Sequence, residues 1–431
     1  MGVNTCAVSH AAVSGGKRGN MAEIKPFCSV RPAPELAGRI AALPYDVYSR
    51  EEAKEEVMRE PFSFLQIDRA ETKLPDSVSA YDSAVYEKAK ELLEEMITKE
   101  HFVREEKECF YLYELIMEGR SQTGLVACAS IDDYINGVIK RHENTRTDKE
   151  LDRITHIDVC NAQTGPIFLT FRDSGSMKGV MEQQKKEEKL YGFTSPDGIT
   201  HNVWKIEEKA TVAKIREEFE GISSIYIADG HHRAASAVKV GLKRREEHTD
   251  NTGREEYNFF LSVLFPSEEL MIMPYNRVVK GLNGYTGEEF LTRISECFEV
   301  VLQGGEPYQP KSKGEYGMYL QNTWYKLIMK EEYRKEDPVA GLDVSLLQDN
   351  LLGPVLGIED PRTDKRIDFV GGIRGLGELE RRVREDMTVA FSMYPTDIKE
   401  LMAVSDQGKL MPPKSTWFEP KLRSGLFIHR I

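Results

Sequence analysis

The chain has 431 residues, 30% of them charged, and a formal net charge of −13. That length suggests two or three domains with sizeable cores, and no apolar run approaches the ~18 residues a membrane span requires. A surface this acidic repels nucleic acid and anionic membranes, so neither is expected as a partner.

Residues 1–20 are weakly basic and rich in small residues but lack a continuous apolar stretch, which makes a poor signal peptide. They are expected to be a disordered extension or to precede the true start. Six cysteines (Cys6, Cys28, Cys109, Cys128, Cys160, Cys297) are scattered without a C-x-x-C pair. That pattern signals neither zinc nor a disulfide framework and fits a reducing, cytoplasmic location.

A short strand is expected just after residue 24, and Ser49 followed by Glu52 forms a capping box at the head of a helix. "SFLQIDR" (63–69) reads as a strand. "AYDSAVYEKAKELLEEMITKE" carries apolar residues at helical spacing. "CFYLYELIM" and "TGLVACASI" read as strands, joined by the hairpin-length "EGRSQ". "DDYINGVIKRHENTRTDKELDRITHID" is a loop leading into a charged helix, and "GPIFLTF" is a further strand. "KATVAKIREEFEG" is helical. It leads to "IYIADGHHRAASAVKV" (225–240), a β-prone run, an Asp-Gly turn and a small-residue helix. Two strands bounded by Pro266 and Pro274 follow. Helices are then expected at "TGEEFLTRISECFEV" and "DVSLLQDNLLGPVLG", with a strand, loop and helix at "RIDFVGGIRGLGELERRVRE". Neighbouring strands look hairpin-connected, which favours an α+β fold over a doubly wound sheet. The expected divisions are 1–20, 21–105, 106–285 and 286–431.

Two polar constellations stand out. Asp229, Gly230, His231, His232 and Arg233 fall at the start of a helix, where free N–H groups and the positive dipole end attract anions. An ordinary polar turn is the plain alternative. Lys140, Arg141, His142, Glu143, Arg146, Arg153 and His156 crowd into residues 139–157, without the spacing of an H-E-x-x-H zinc helix. A charged, solvent-facing loop is the alternative there. Together they supply a carboxylate base, an anion-ready helix terminus and clustered cations, the parts phosphoryl transfer uses. Glu143 can take a proton from a hydroxyl, the 229–233 turn can hold phosphate oxygens, and Asp229 or Glu143 can help place Mg²⁺. Weaker signals come from "GGIRGLGELE", which is not G-x-G-x-x-G, and from Arg277 after a strand. Lys414 in "MPPKSTWF" and Tyr45 with Asp46 in "ALPYDVYS" are others. No serine-hydrolase elbow or protein-kinase signature occurs.

"ADGHHRAASA" resembles the D-G-H-H-R-x-x-A box of the ParB/sulfiredoxin-like superfamily, and "KRHENTRTDKELDRI…GPIFL" resembles its upstream H-E box. The two boxes occur together in the free-serine kinase branch, which phosphorylates L-serine to O-phosphoserine with ADP or ATP and Mg²⁺. The resemblance covers about residues 110–280. It implies Glu143 as catalytic base with His142 beside it, and Asp229, Gly230, His231, His232 and Arg233 as the nucleotide-phosphate and substrate box. Arg146, Arg277 and Lys414 are further candidates for substrate or phosphate contact. Over nearly its full length, from "KPFCSVRPAPELAGRIAALPYDVYS" to "MPPKSTWFEPKLRSGLFI", the chain also resembles the bacterial and archaeal domain-of-unknown-function family 1015. The implied fold is a ParB/sulfiredoxin-like core of mixed β-sheet and helices with N- and C-terminal α/β extensions. The longer spacing from Glu143 to Asp229 implies an insertion near residues 172–215. The expected function is a nucleotide-dependent kinase acting on a small hydroxylated metabolite, L-serine first among them. ADP or ATP is the expected donor, CTP is an open third choice, and an oligomer is compatible with the sequence. A phosphatase or nucleotidase, or a nucleotide-binding regulatory switch of the ParB kind, is the alternative.

Overall fold

The computed structural model describes residues 21–431, so the expectation for residues 1–20 lies outside the described residues. The fold is α+β, built on two sheets that share one core. In the larger sheet the strands are β1 (Ile24–Lys25), β2 (Phe110–Met117), β3 (Arg120–Ser130), β4 (Ile139–Lys140) and β5 (Ile167–Phe171). β6 (Tyr191–Thr194), β7 (Thr200–Ile206), β8 (Ile225–Asp229) and β9 (Phe259–Pro266) complete it. Their order is β4-β8-β5-β9-β3-β2-β7-β6, with β1 also pairing β3. The sheet is mixed, because β8 runs parallel to β4 and β9 parallel to β5, while the remaining pairs are antiparallel. β2 and β3 form the hairpin expected from sequence. β3 is buried on both faces from Gln122 onward, which is why it reads as a continuous apolar run.

The second sheet is wholly antiparallel. Its strands are β10 (Tyr275–Val279), β11 (Phe298–Gly304), β12 (Glu315–Leu320), β13 (Thr323–Met329), β14 (Ile367–Gly371) and β15 (Val389–Ser392). Their order is β11-β13-β12-β15-β10-β14. Val126, Val263 and Phe265 of the first sheet share a hydrophobic cluster with Met318 and Phe391 of the second. Phe418, from the C-terminal region, packs on Phe168 with ring centroids 5.5 Å apart.

Three helices frame the polar constellations. α1 (Ser83–Thr98) starts at the N-cap Asp82 and buries Val85, Ala89, Leu92, Leu93 and Met96, the periodic face read from sequence. α2 (Thr147–Cys160) is the charged helix after the H-E loop, and α3 (His231–Glu247) follows β8. α2 packs against both α1 and α3. The capping box of Ser49 and Glu52 is formed in full.

One expected strand is absent. Residues 63–69 instead turn through the short helix Leu65–Asp68, with Asp68 N–H donating to the Phe64 carbonyl. Phe64, Leu65 and Ile67 are all buried, and a short apolar run cannot reveal from periodicity alone whether it buries as strand or helix. Residues 172–215 hold the helix Ser176–Gln184 and the β6–β7 hairpin, which extends the large sheet at its β2 edge.

Candidate functional site

β8 ends at Asp229 and α3 begins at His231, so the whole turn rests on Gly230, whose φ is +95°. A side chain rarely adopts that conformation, and a Cβ there would lie 3.1 Å from the Arg233 guanidinium. The Gly230 N–H donates to Asp229 Oδ1 at 2.8 Å, which fixes the carboxylate across the start of the helix. Arg233 folds back over the turn and donates from Nη1 to the Pro166 carbonyl at 2.5 Å.

The loop after β4 brings the second constellation to the same place. The His142 N–H donates to His231 Nε2 at 3.4 Å, and the two imidazoles meet edge to face with centroids 4.5 Å apart. Because His231 Nε2 accepts, its proton sits on Nδ1, which faces Glu143 Oε2 at 3.7 Å. His142 is wholly buried. No well-formed hydrogen bond reaches either of its ring nitrogens, although the Ile227 carbonyl lies nearby. Burial pushes His142 down to about 4 and holds His231 well below its ordinary value. Both rings are therefore neutral near pH 7, and the positive charge at the site comes from elsewhere.

It comes from Arg233 and from a C-terminal strap, residues 411–423, that crosses over the site. The Met411 N–H donates to the His142 carbonyl at 2.8 Å. Lys414 adopts a left-handed backbone (φ +59°), uncommon for lysine, and its ammonium lies 5.5 Å from the centre of the Tyr275 ring. Lys421 Nζ meets Asp229 Oδ2 at 3.3 Å. Burial works against the charge on Lys421, but Asp229 and Glu419 outweigh it and raise its pKa. Burial would likewise raise Asp229, yet Lys421 and Arg233 hold it well below the usual carboxylate range. Glu143 behaves differently. Burial, and then the Asp229 charge, push it up to about 7 against the pull of Lys414 and Lys421. The site therefore holds one permanently ionised carboxylate and one poised near neutrality, a separation typical of acid–base pairs.

Not every residue expected at the site points into it. The Arg146 N–H donates to His232 Nε2 at 2.9 Å, but its guanidinium is exposed and paired with Asp148. Arg277 is buried and donates to the carbonyls of Tyr275 and Lys414, so it holds the lysine-bearing turn. Lys421 has no sequence signal linking it to Asp229, from which it is 192 positions away. Asp46 also acts on the site, through the charges of Lys414, Lys421 and His232. Beside Arg233 lies a cavity of about 30 Å³, walled by Tyr45, Asp68, Arg153, His156 and Thr164. It is roomy enough for water and nothing larger.

No curated protein matches the chain. Similar solved structures include a free serine kinase variant in complex with ADP, with a TM-score of 0.35 and 13% identity, covering 70% of this chain and 92% of that one. SbnI with a C-terminal truncation, from Staphylococcus aureus, gives 0.37 and 12%, covering 69% and 85%. A conserved hypothetical protein from Pyrococcus furiosus gives 0.34 and 14%, covering 72% and 96%. Residues 24–345 match the profile of a family described as a protein of unknown function, DUF1015, and the chain belongs to that family.

Proposed function

We propose that this protein is a nucleotide-dependent phosphotransferase acting on a small hydroxylated metabolite, with L-serine the first candidate and ADP or ATP the donor. The observation that carries the reading is Glu143: a carboxyl titrating near 7, set 3.7 Å from His231 at an anion-ready helix terminus and flanked by strap lysines. Glu143 takes the proton of the acceptor hydroxyl as its oxygen attacks the terminal phosphorus. The bond from that phosphorus to the bridging oxygen breaks, and the nucleotide leaves one phosphate shorter. The Gly230–Arg233 backbone, Arg233 and Lys414 hold phosphate oxygens. Neutral His231 turns its Nδ1–H toward Glu143 Oε2, 3.7 Å away, and orients that carboxyl.

Among the described residues no group of three or more His, Cys, Asp or Glu side chains is arranged to hold a metal ion. Magnesium commonly takes only one or two carboxylates and completes its shell with phosphates and water. Asp229 and Glu143, close enough for the charge of one to raise the other, fit that mode. Bound there, the ion would neutralise phosphate charge.

The test is a phosphorus-NMR or mass-spectrometric assay with Mg²⁺, L-serine and each nucleotide in turn. Serine-dependent O-phosphoserine from the wild type, lost in Glu143→Gln, is the expected result. Nucleotide binding without product from any donor would refute the serine kinase.

A further inference from the structure

The strap lies outside the segment that matches the family profile, which ends at residue 345, yet it places a buried ammonium against the phosphate box. We propose that Lys421 is the residue that binds the terminal phosphate of the nucleotide, exchanging its ion pair with Asp229 for one with the incoming phosphate. This role rests on the phosphotransferase reading and adds to it a residue from the C-terminal region.

Three observations carry it. First, the strap is anchored on both sides of Lys421. Met271–Met273 pairs with Trp417–Glu419 upstream, and downstream Arg423 binds Asp197 and Ser195 while the Ser424 N–H donates to the Ala42 carbonyl. The ammonium is held 4.9 Å from the centre of the Trp417 ring, and its side chain is only 16% exposed. A lysine so fixed has already lost most of its freedom before ligand arrives.

Second, its partner is the residue that begins the phosphate turn. The contact with Asp229 is single and at 3.3 Å, whereas Asp229 Oδ1 is independently held by the Gly230 N–H. Withdrawing Lys421 therefore leaves Asp229 in place. A purely structural tether gains little from a buried ion pair, because desolvation offsets most of the attraction.

Third, the charge requirement points the same way. His142 and His231 are neutral, and Arg233 spends one arm on Pro166. Lys414 sits against the Tyr275 ring, with Glu143 and Asp46 acting on its charge, so Lys421 is the strap cation paired directly with Asp229. A compact, strongly hydrated ammonium on a flexible stem suits transfer between a carboxylate and a phosphate oxygen.

The experiment is calorimetric titration of full-length wild type, Lys421→Met and Lys421→Arg with ADP and with AMP. A lost charge-assisted contact should weaken ADP binding of Lys421→Met by roughly 10- to 100-fold. AMP, one phosphate shorter, should bind within about threefold of wild type, and Lys421→Arg should recover most of the ADP affinity. Thermal unfolding of each variant is followed alongside, because a tether alone would lower stability without separating the two nucleotides. Equal losses for ADP and AMP, or unchanged ADP binding in Lys421→Met, would overturn the role of Lys421 and leave the phosphotransferase reading intact. A wild type that binds neither nucleotide would overturn both.

Discussion

Glu143→Gln should abolish turnover and, at alkaline pH, make the protein more stable. In the folded chain Glu143 titrates at about 7 instead of its ordinary 4.5. Between those values the folded state binds more protons than the unfolded one, so stability falls as pH rises through the window and stays lower above it. A displacement that large corresponds to roughly 3 kcal/mol. The Glu143 side chain is 34% exposed, however, and water screens part of the field, which brings the working figure to roughly 1–2 kcal/mol. Glutamine keeps the shape and removes the titration. The variant should melt ~1–3 °C above wild type at pH 8 and together with it at pH 4.5. Differential scanning fluorimetry at both pH values, checked by urea unfolding, reads this directly. A variant no more stable than wild type at pH 8, or stabilised equally at both pH values, would refute the claim that a strained, ionised carboxylate sits at this position.

The phosphotransfer rate should rise with pH and level off above about 7, because Glu143 must be ionised to accept a proton. Lys414→Met should move that limb to higher pH, since the lysine lowers the Glu143 pKa, and a pH series of kcat/KM for both proteins tests it. Gly230→Ala, at φ +95° with a Cβ 3.1 Å from Arg233, should cost about 1–2 kcal/mol and displace the guanidinium. A lower melting temperature together with weakened nucleotide binding is the expected readout. Gly371→Ala would put a methyl group 2.7 Å from the Trp417 ring and unseat the strap. Limited trypsin digestion should then cut after Lys414 or Lys421 faster than in wild type, and an unchanged digestion pattern would count against the anchoring of the strap through Trp417.

The strand–turn–helix of residues 225–240 was legible because every level of the sequence agrees there. β-prone Ile225–Ile227 is buried, Gly230 takes the positive φ, and the small residues of α3 pack inward. The H-E loop and the 229–233 turn were legible as chemistry, but His142 and His231 read as charge carriers, and only burial shows them to be neutral. Leu65–Asp68 read as strand because its apolar and polar residues alternate, yet all four residues of the short helix are buried, so four positions are too few for the period to decide. Lys421 was invisible for a different reason. Its approach to Asp229 depends on the path of the C-terminal strap, and a contact nearly two hundred residues apart leaves no local pattern. Arg277 shows the reverse case, a cation that looked like a ligand contact and instead braces the Lys414 turn.

The crossing strap also sets an order of events during synthesis. Asp229 leaves the ribosome 192 residues before the lysine that neutralises it, a delay of roughly 10–40 s at usual elongation rates. Throughout that interval the nascent chain carries Asp229 and Glu143 without Lys414 or Lys421. Water must solvate both carboxylates until the strap arrives. A polypeptide halted near residue 400 would thus carry the Gly230 turn beside Arg233 but neither strap lysine, and its H-E loop would lack the Met411 hydrogen bond to His142.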